Sequence, residues 1–360
     1  MPRLQHIPRV RFAHLPTALE HAPRLSAALG GPTVWIKRDD CTGIAGGGNK
    51  TRKLEFLLAE ARAKGADTVV TFGALQSNHA RQTAAACARL GLHCELILSR
   101  RVHYTNDEYE HGGNRLLDDL LGARLHIVQP EASATTWQQR RAALIAAGRV
   151  PYVVPTGGSS ATGALGYVVC ADEILAQSSD AGFRPTAIVH ASSSGGTQAG
   201  LVAGCARNAR ALNPCSGNAT AVPVIGVNTY AVDAVLQREQ IIELTNAVLA
   251  RLQLAPVATD AIQVEQGFLG ADYGIPTQTM VEAVRIAAET EGLLLDPVYS
   301  GKAMAGLIGM IRAGRFAASD HIVFVHTGGA AALSPYRQEF QADPAQVEGP
   351  VPNARSPSDG

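Results

Sequence analysis

Compact runs of Val, Ile, Leu and Phe recur along the chain, and between most of them apolar residues return at every third or fourth position. The runs predict strands at Thr33–Lys37, Thr68–Phe72, His93–Leu98, Leu125–Val128, Tyr152–Val154, Ala187–Ala191, Val224–Asn228, Ile262–Val264, Leu293–Leu295 and Ile322–His326. The intervals predict amphipathic helices. Strands this uniformly apolar have no polar face to offer water. They imply parallel sheets covered by helices on both sides, an α/β fold. Ten such strands exceed one small sheet, so two α/β units are expected. Residues 51–159, holding the strands from Thr68 to Val154, make the smaller unit; residues 1–50 and 160–340 make the larger. Glycines Gly46–Gly48 and Gly157–Gly158 mark the crossings. Residues 341–360 are rich in Pro, Gly, Ser and charge without periodicity, the composition of a disordered tail.

Ligands of open α/β sheets bind beyond the carboxyl ends of strands, so the junctions that follow strands are where chemistry is expected. Lys50 follows a Gly-Gly-Gly-Asn loop and opens a helix with Leu54, Leu57, Leu58 and Ala61 on one face and Gly65 as its stop. The helix dipole and the charge of Lys53 one turn on both disfavour an ammonium, so Lys50 is expected to give up its proton readily. A neutral amine suits Schiff-base chemistry with a carbonyl compound. The plainer reading is a surface lysine at a helix start. In Gly73-Ala74-Leu75-Gln76-Ser77-Asn78-His79, Ser77 or Asn78 caps the next helix, and the same donors suit a carboxylate. Ser192-Ser193-Ser194-Gly195-Gly196-Thr197 opens another helix with small residues and hydroxyls, either a phosphate cradle without a Walker lysine or an ordinary turn. Asp296-Pro297-Val298-Tyr299 delivers a phenol that is either a packed ring or an acid–base group. Thr327, ending the last strong strand, either reaches a site or satisfies a nearby backbone group.

Composition narrows the field. Lys plus Arg and Asp plus Glu both number 31, a balance that argues against a nucleic-acid or membrane-surface partner. Only Lys37, Lys50, Lys53, Lys64 and Lys302 are available as nucleophilic amines. The six cysteines (Cys41, Cys87, Cys94, Cys170, Cys205 and Cys215) form no Cys-x-x-Cys pair and read as reduced core residues of a cytoplasmic protein. No apolar leader or membrane-length run is present. No metal site is expected: histidines lack ligand spacing, and Asp39-Asp40 and Asp118-Asp119 read as solvated or capping. A Gly-x-Ser-x-Gly elbow and a dinucleotide fingerprint are also missing.

Taken together, WIKRDDCTGIAGGGNKTRKLEFL, GALQSNHARQTAAACARLGL, GGSSATGALGY, SSSGGTQAGL, DPVYSGKAMAGL and HTGGAAAL resemble, in order over residues 5–338, the pyridoxal-phosphate enzymes of the D-cysteine desulfhydrase, L-cysteate sulfo-lyase and 1-aminocyclopropane-1-carboxylate deaminase group. The resemblance implies a two-domain tryptophan-synthase-β-like fold (fold type II), pyridoxal 5'-phosphate as cofactor and Lys50 as the amine that carries it. It further implies that Lys53, Ser194, Gly195, Gly196 and Thr197 hold the cofactor phosphate, Asn78 its phenolic oxygen, and Ser77 the substrate carboxylate. Tyr273 and Tyr299 would face the substrate, and Thr327 the pyridine nitrogen. A homodimer is also implied.

The cyclopropane deaminases carry Glu and Leu where this chain has Ser300 and Thr327. A carboxylate partner keeps the pyridine nitrogen protonated and the ring a strong electron sink; a hydroxyl suffices when a good leaving group departs from the adjacent carbon. The expectation is therefore β-elimination of a sulfur group from a small amino acid, giving pyruvate and ammonia. L-Cysteate, losing sulfite, is the first choice and D-cysteine, losing sulfide, the alternative. Cyclopropane deamination, β-replacement and a regulatory cofactor binder are further readings. A sulfonate calls for a cation, for which Arg81 and His79 are the candidates.

Overall fold

The computed structural model describes residues 4–104, 106–212, 221–230 and 233–341. Cys215 and residues 342–360 of the expected tail lie outside them. Ten strands are present among the described residues: β1 Leu19–His21, β2 Thr33–Lys37, β3 Thr68–Ala74, β4 His93–Ser99, β5 Arg124–Val128, β6 Pro151–Val154, β7 Ala187–Ser192, β8 Val224–Asn228, β9 Gln263–Glu265 and β10 His321–Val325. The helices are α1 Pro23–Leu29, α2 Lys50–Ala63, α3 Asn78–Leu90, α4 Asp107–His111, α5 Gly113–Leu120, α6 Ser133–Ala146, α7 Ala161–Asp180, α8 Gly196–Leu212, α9 Ala234–Arg251, α10 Gln278–Glu291 and α11 Ser300–Arg312.

The strands form two sheets, in the orders β1-β2-β10-β7-β8-β9 and β5-β4-β3-β6. Every pairing is parallel except that of β1 with β2. The central strands β7, β8 and β10 are buried at nearly every position, which is why they read as unbroken apolar runs. Two expectations fail. Leu293–Leu295 is not a strand: Leu293 and Leu295 are buried against α10 and α11, but no neighbouring strand pairs with them. The short β1 was not foreseen, because Leu-Glu-His at a sheet edge carries no apolar run.

In each acidic pair one member, Asp39 or Asp118, is buried instead of solvated, while Asp119 is exposed. Asp39 is fully buried; its carboxylate accepts from Arg52 at 2.8 Å, Tyr167 at 2.6 Å and Thr17 at 2.8 Å. Burial alone would raise its pKa, but the Arg52 guanidinium, with Lys37 nearby, holds it below the ordinary carboxylate value. Asp118 is fully buried without a hydrogen-bond partner, and burial raises its pKa to about 8 despite the opposing charges of Arg81 and Arg115. Cys87, Cys94, Cys170 and Cys205 are buried free thiols, while Cys41 is exposed. Among the described residues there is no cluster of metal-ligating side chains, and no helix is long and apolar enough to cross a membrane.

Candidate active site

A cavity of about 610 Å³ opens at the carboxyl ends of strands from both sheets. The loop before α2 supplies its amine. Thr42 stitches that loop, accepting from the Gly48 amide and donating to the Gly48 carbonyl, both at 2.8 Å. The backbone after β10 crosses the same glycine so closely that a Cβ on Gly328 would lie 2.8 Å from Gly48 Cα. Thr51, in the first turn of α2, gives its amide to Gln82 of α3 at 3.0 Å. Lys50 therefore leaves a rigid helix start, and it lines the cavity.

The proton affinity of Lys50 falls as expected, to a pKa of about 8, but for a different reason. Burial is the main cause; the negative charge of Asp296 partly offsets it, and the Lys53 charge is not what lowers it. Lys50 is half-buried. Lys53 itself is buried and driven well below its ordinary value, by burial first and by Lys50 second. It stands behind the cavity wall, donating to the Gly157 carbonyl at 3.1 Å, and Gly157 is the residue that faces inward.

The other expected residues converge to different degrees. Ser77, Asn78, Ser194, Gly195, Thr197, Tyr273, Tyr299 and Thr327 line the same cavity as Lys50, whereas Gly196 does not. Ser77 caps α3, accepting the Ala80 amide at 3.2 Å, and its hydroxyl proton remains free for a ligand. The buried amide oxygen of Asn78 has no partner. Ser194 and Ser159 share a hydroxyl–hydroxyl bond of 2.8 Å, and the Gly196 amide donates to Ser159 at 3.1 Å. Gly157 lies so near this pair that a Cβ there would sit 2.2 Å from Ser194 Oγ. Asn49, preceding the lysine, donates to Thr197 at 3.2 Å and ties the two loops together.

Tyr299 and Tyr273 are hydrogen-bonded through their hydroxyls. Burial pushes the Tyr273 phenol to about 12 and holds that of Tyr299 well above its ordinary value. Both are protonated donors at neutral pH, which rules Tyr299 out as a base there. Of the two positions that separate the deaminases from their relatives, only Thr327 reaches the cavity. Ser300 is buried in the first turn of α11 and donates to Asp296 at 2.6 Å.

Neither cation proposed for a sulfonate is in place. Arg81 is buried beneath the lysine loop, held by Asn114 at 2.7 Å and by the carbonyls of Ala45 and Gly47. His79 lines the cavity but is kept neutral by burial and by the neighbouring Lys50 and Lys53; its Nε2 meets Thr71 at 2.7 Å. Sequence reasoning passed over Arg101 and Tyr230, which also line the cavity. Both follow within a few residues of a strand's carboxyl end, β4 and β8, a signal that could have found them.

Residues 10–328 match the model of the pyridoxal-phosphate dependent enzyme family. The chain belongs to that family. It is similar to the D-cysteine desulfhydrase of Salmonella typhimurium, with 46% identity over 337 residues, covering 92% of this chain and 97% of the relative. The desulfhydrases of Salmonella choleraesuis and Salmonella typhi are 45% identical over the same span. Among solved structures, one described as an ACC deaminase homologue superposes with a TM-score of 0.80 at 32% identity, over 94% of this chain and 98% of the other. A threonine deaminase of T.th. shares the fold, with a TM-score of 0.61 at 18% identity, over 88% of this chain and 93% of that one. The fold is thus the fold type II arrangement of pyridoxal-phosphate enzymes.

The residues present suit that cofactor. A lysine with reduced proton affinity faces the cavity, a buried amide oxygen lacks a partner, and the first turn of α8 carries amides that no intrahelical carbonyl can satisfy. Glycine at 157 leaves room beside Ser194 where a side chain would intrude.

Proposed function

We propose that this pyridoxal-phosphate enzyme is a carbon–sulfur lyase that eliminates the β-sulfur group of a small amino acid, with D-cysteine as substrate and sulfide, pyruvate and ammonia as products. The carrying observation is that Lys50, the sole lysine lining the cavity among the described residues, shares it with the Tyr299–Tyr273 donor pair and with Ser77. Whole-length identity to D-cysteine desulfhydrases supports the choice of substrate. In this reading Lys50 and the Ser194–Thr197 loop hold the cofactor, with Lys53 bracing that site through Gly157, Asn78 meeting the ring oxygen and Thr327 the ring nitrogen. The cofactor, when bound, supplies an electron sink for the bond broken at Cα. Ser77 holds the substrate carboxylate. Lys50, neutral in an appreciable fraction near its pKa of about 8, takes the Cα proton. Tyr299 gives a proton to the departing sulfur, and Tyr273 steadies the Tyr299 hydroxyl. Water then completes the balance: cysteine and one water give pyruvate, ammonia and hydrogen sulfide.

Cyclopropane opening is disfavoured because the position that would carry a ring-nitrogen carboxylate is Ser300, folded into the start of α11. A homodimer is part of the same reading and is checked by sedimentation. The deciding assay supplies D-cysteine alone to the holoenzyme and measures sulfide and pyruvate. Equimolar release is expected; sulfide released without pyruvate, and only when a second nucleophile is present, would point to β-replacement, and no release would refute the reading.

A further inference from the structure

We propose that Arg101 is a specificity-determining residue, an anion subsite that lets the cavity take amino acids whose β-substituent is itself negatively charged, such as a sulfonate. The inference rests on the β-elimination reading above and assigns a group that the reading leaves idle. Among the described residues, Lys50 and Arg101 are the only Lys or Arg side chains lining the cavity. The Arg101 guanidinium lies 4.5 Å from the ring centre of Tyr230 and 5.6 Å from that of Tyr273, and it donates to the Tyr230 hydroxyl. The two rings meet edge to face at 5.4 Å and 73°. These contacts hold the exposed cation beside both rings while leaving most of its N–H donors free, and it makes no ion pair with any described residue.

Its placement matches the geometry an anionic substituent would need. Strands β3 and β4 run side by side with Ala74 opposite Ser99, so Ser77 and Arg101 leave the same sheet edge from neighbouring strands. A substrate whose carboxylate sits at Ser77 then has a second anion site beside it, and that site rests on the ring of Tyr273, the hydrogen-bond partner of Tyr299. A departing sulfite would be met by a fixed positive charge and a phenol donor together. The balance is that of the parent reaction: the Cα–H and Cβ–S bonds break, sulfur keeps the electron pair, and cysteate plus water gives pyruvate, ammonia and sulfite. No oxidant is needed.

The test compares wild-type holoenzyme with Arg101→Met and Arg101→Lys. Sulfite release is followed from each enantiomer of cysteate, sulfide release from D-cysteine. Binding of 3-sulfopropanoate, which lacks the amine and cannot react, is measured by calorimetry against uncharged-ended butanoate. Wild type should release sulfite and bind 3-sulfopropanoate more tightly than butanoate. In Arg101→Met the cysteate-to-D-cysteine ratio of kcat/KM should fall by roughly 10- to 100-fold, mostly through KM, with the preference for 3-sulfopropanoate lost and partly restored by Arg101→Lys. Sulfide release without sulfite release from either enantiomer overturns the inference and spares the parent reading. An equal fall for both substrates also overturns it, marking Arg101 as a carboxylate or structural group. Failure of both substrates in wild type sinks the parent reading too.

Discussion

Three of the five lysines (Lys37, Lys53 and Lys302) are buried to within 1% of completely, and each is occupied by a protein partner. Lys50 alone combines a lowered pKa with a place in the cavity wall. Lys50→Ala is therefore expected to abolish turnover together with the visible absorbance of the lysine-bound cofactor, while circular dichroism stays that of the wild type. Tyr299→Phe should lower kcat by about 100-fold, the scale of a lost general acid. Because burial raises both phenols, the protonated form persists far above neutrality, to about 12 at Tyr273. Any alkaline fall of the rate below about pH 12 must then come from other groups, and a pH profile of Tyr273→Phe should keep the wild-type alkaline limb. At this scale the motifs made most of the cavity legible, since Ser77, Ser194 and Thr327 stand next to strand ends, and Lys50 and Tyr299 next to helix starts. Arg101 stood near a strand end, but its meaning was not legible, because that meaning comes from Tyr230, 129 residues away in sequence and brought over it by the second sheet. Arg81 misled for the converse reason. Its helix face turns inward, toward carbonyls of the lysine loop, and nothing in the spacing of charges reveals that.

The start of α11 shows one carboxylate serving a whole element. Asp296 accepts from the amides of Val298 at 3.0 Å, Tyr299 at 2.9 Å and Ser300 at 2.7 Å, satisfying donors that a helix start leaves orphaned. The same negative charge raises the proton affinity of Lys50 against the effect of burial. Asp296→Asn should therefore cost about 1–3 kcal/mol in urea unfolding, the cost of losing charge-assisted bonds at a buried cap. It should also move the Lys50 pKa further down, read as faster labelling of that amine by an acylating reagent below pH 8. Strands were legible wherever both faces are buried, because the apolar run is then continuous. Leu293–Leu295 has the run without a ladder partner, and burial of alternate residues by neighbouring helices supplies the same composition.

Across the molecule, a buried ionic network fastens the segment before β1, the turn after β2, α2 and α7 to one another. Arg52 bonds Asp39 and Glu173, and Lys37 bonds Glu173 at 2.8 Å and the Thr17 carbonyl at 2.7 Å. Removing one member strands the others in a dry interior, so Asp39→Asn is expected to cost about 3–5 kcal/mol by chemical denaturation. The folded-state pKa of Asp39 lies below its unfolded value, so its contribution is complete above pH ~4 and is lost as the pH falls through the folded value. The mutant's acid unfolding should accordingly be less steep. We propose that the chain divides near residues 50 and 159, with α2 along the seam rather than inside either part: it packs on α7 and on α3. The sequence pattern did not reveal this network, whose members are scattered between Thr17 and Glu173.

Gln82 grips the first turn of α2 from the smaller sheet's side and Arg52 moors it to the larger. The reactive amine thus begins a helical turn tied on both flanks, so that its backbone is moored to the two sheets at once.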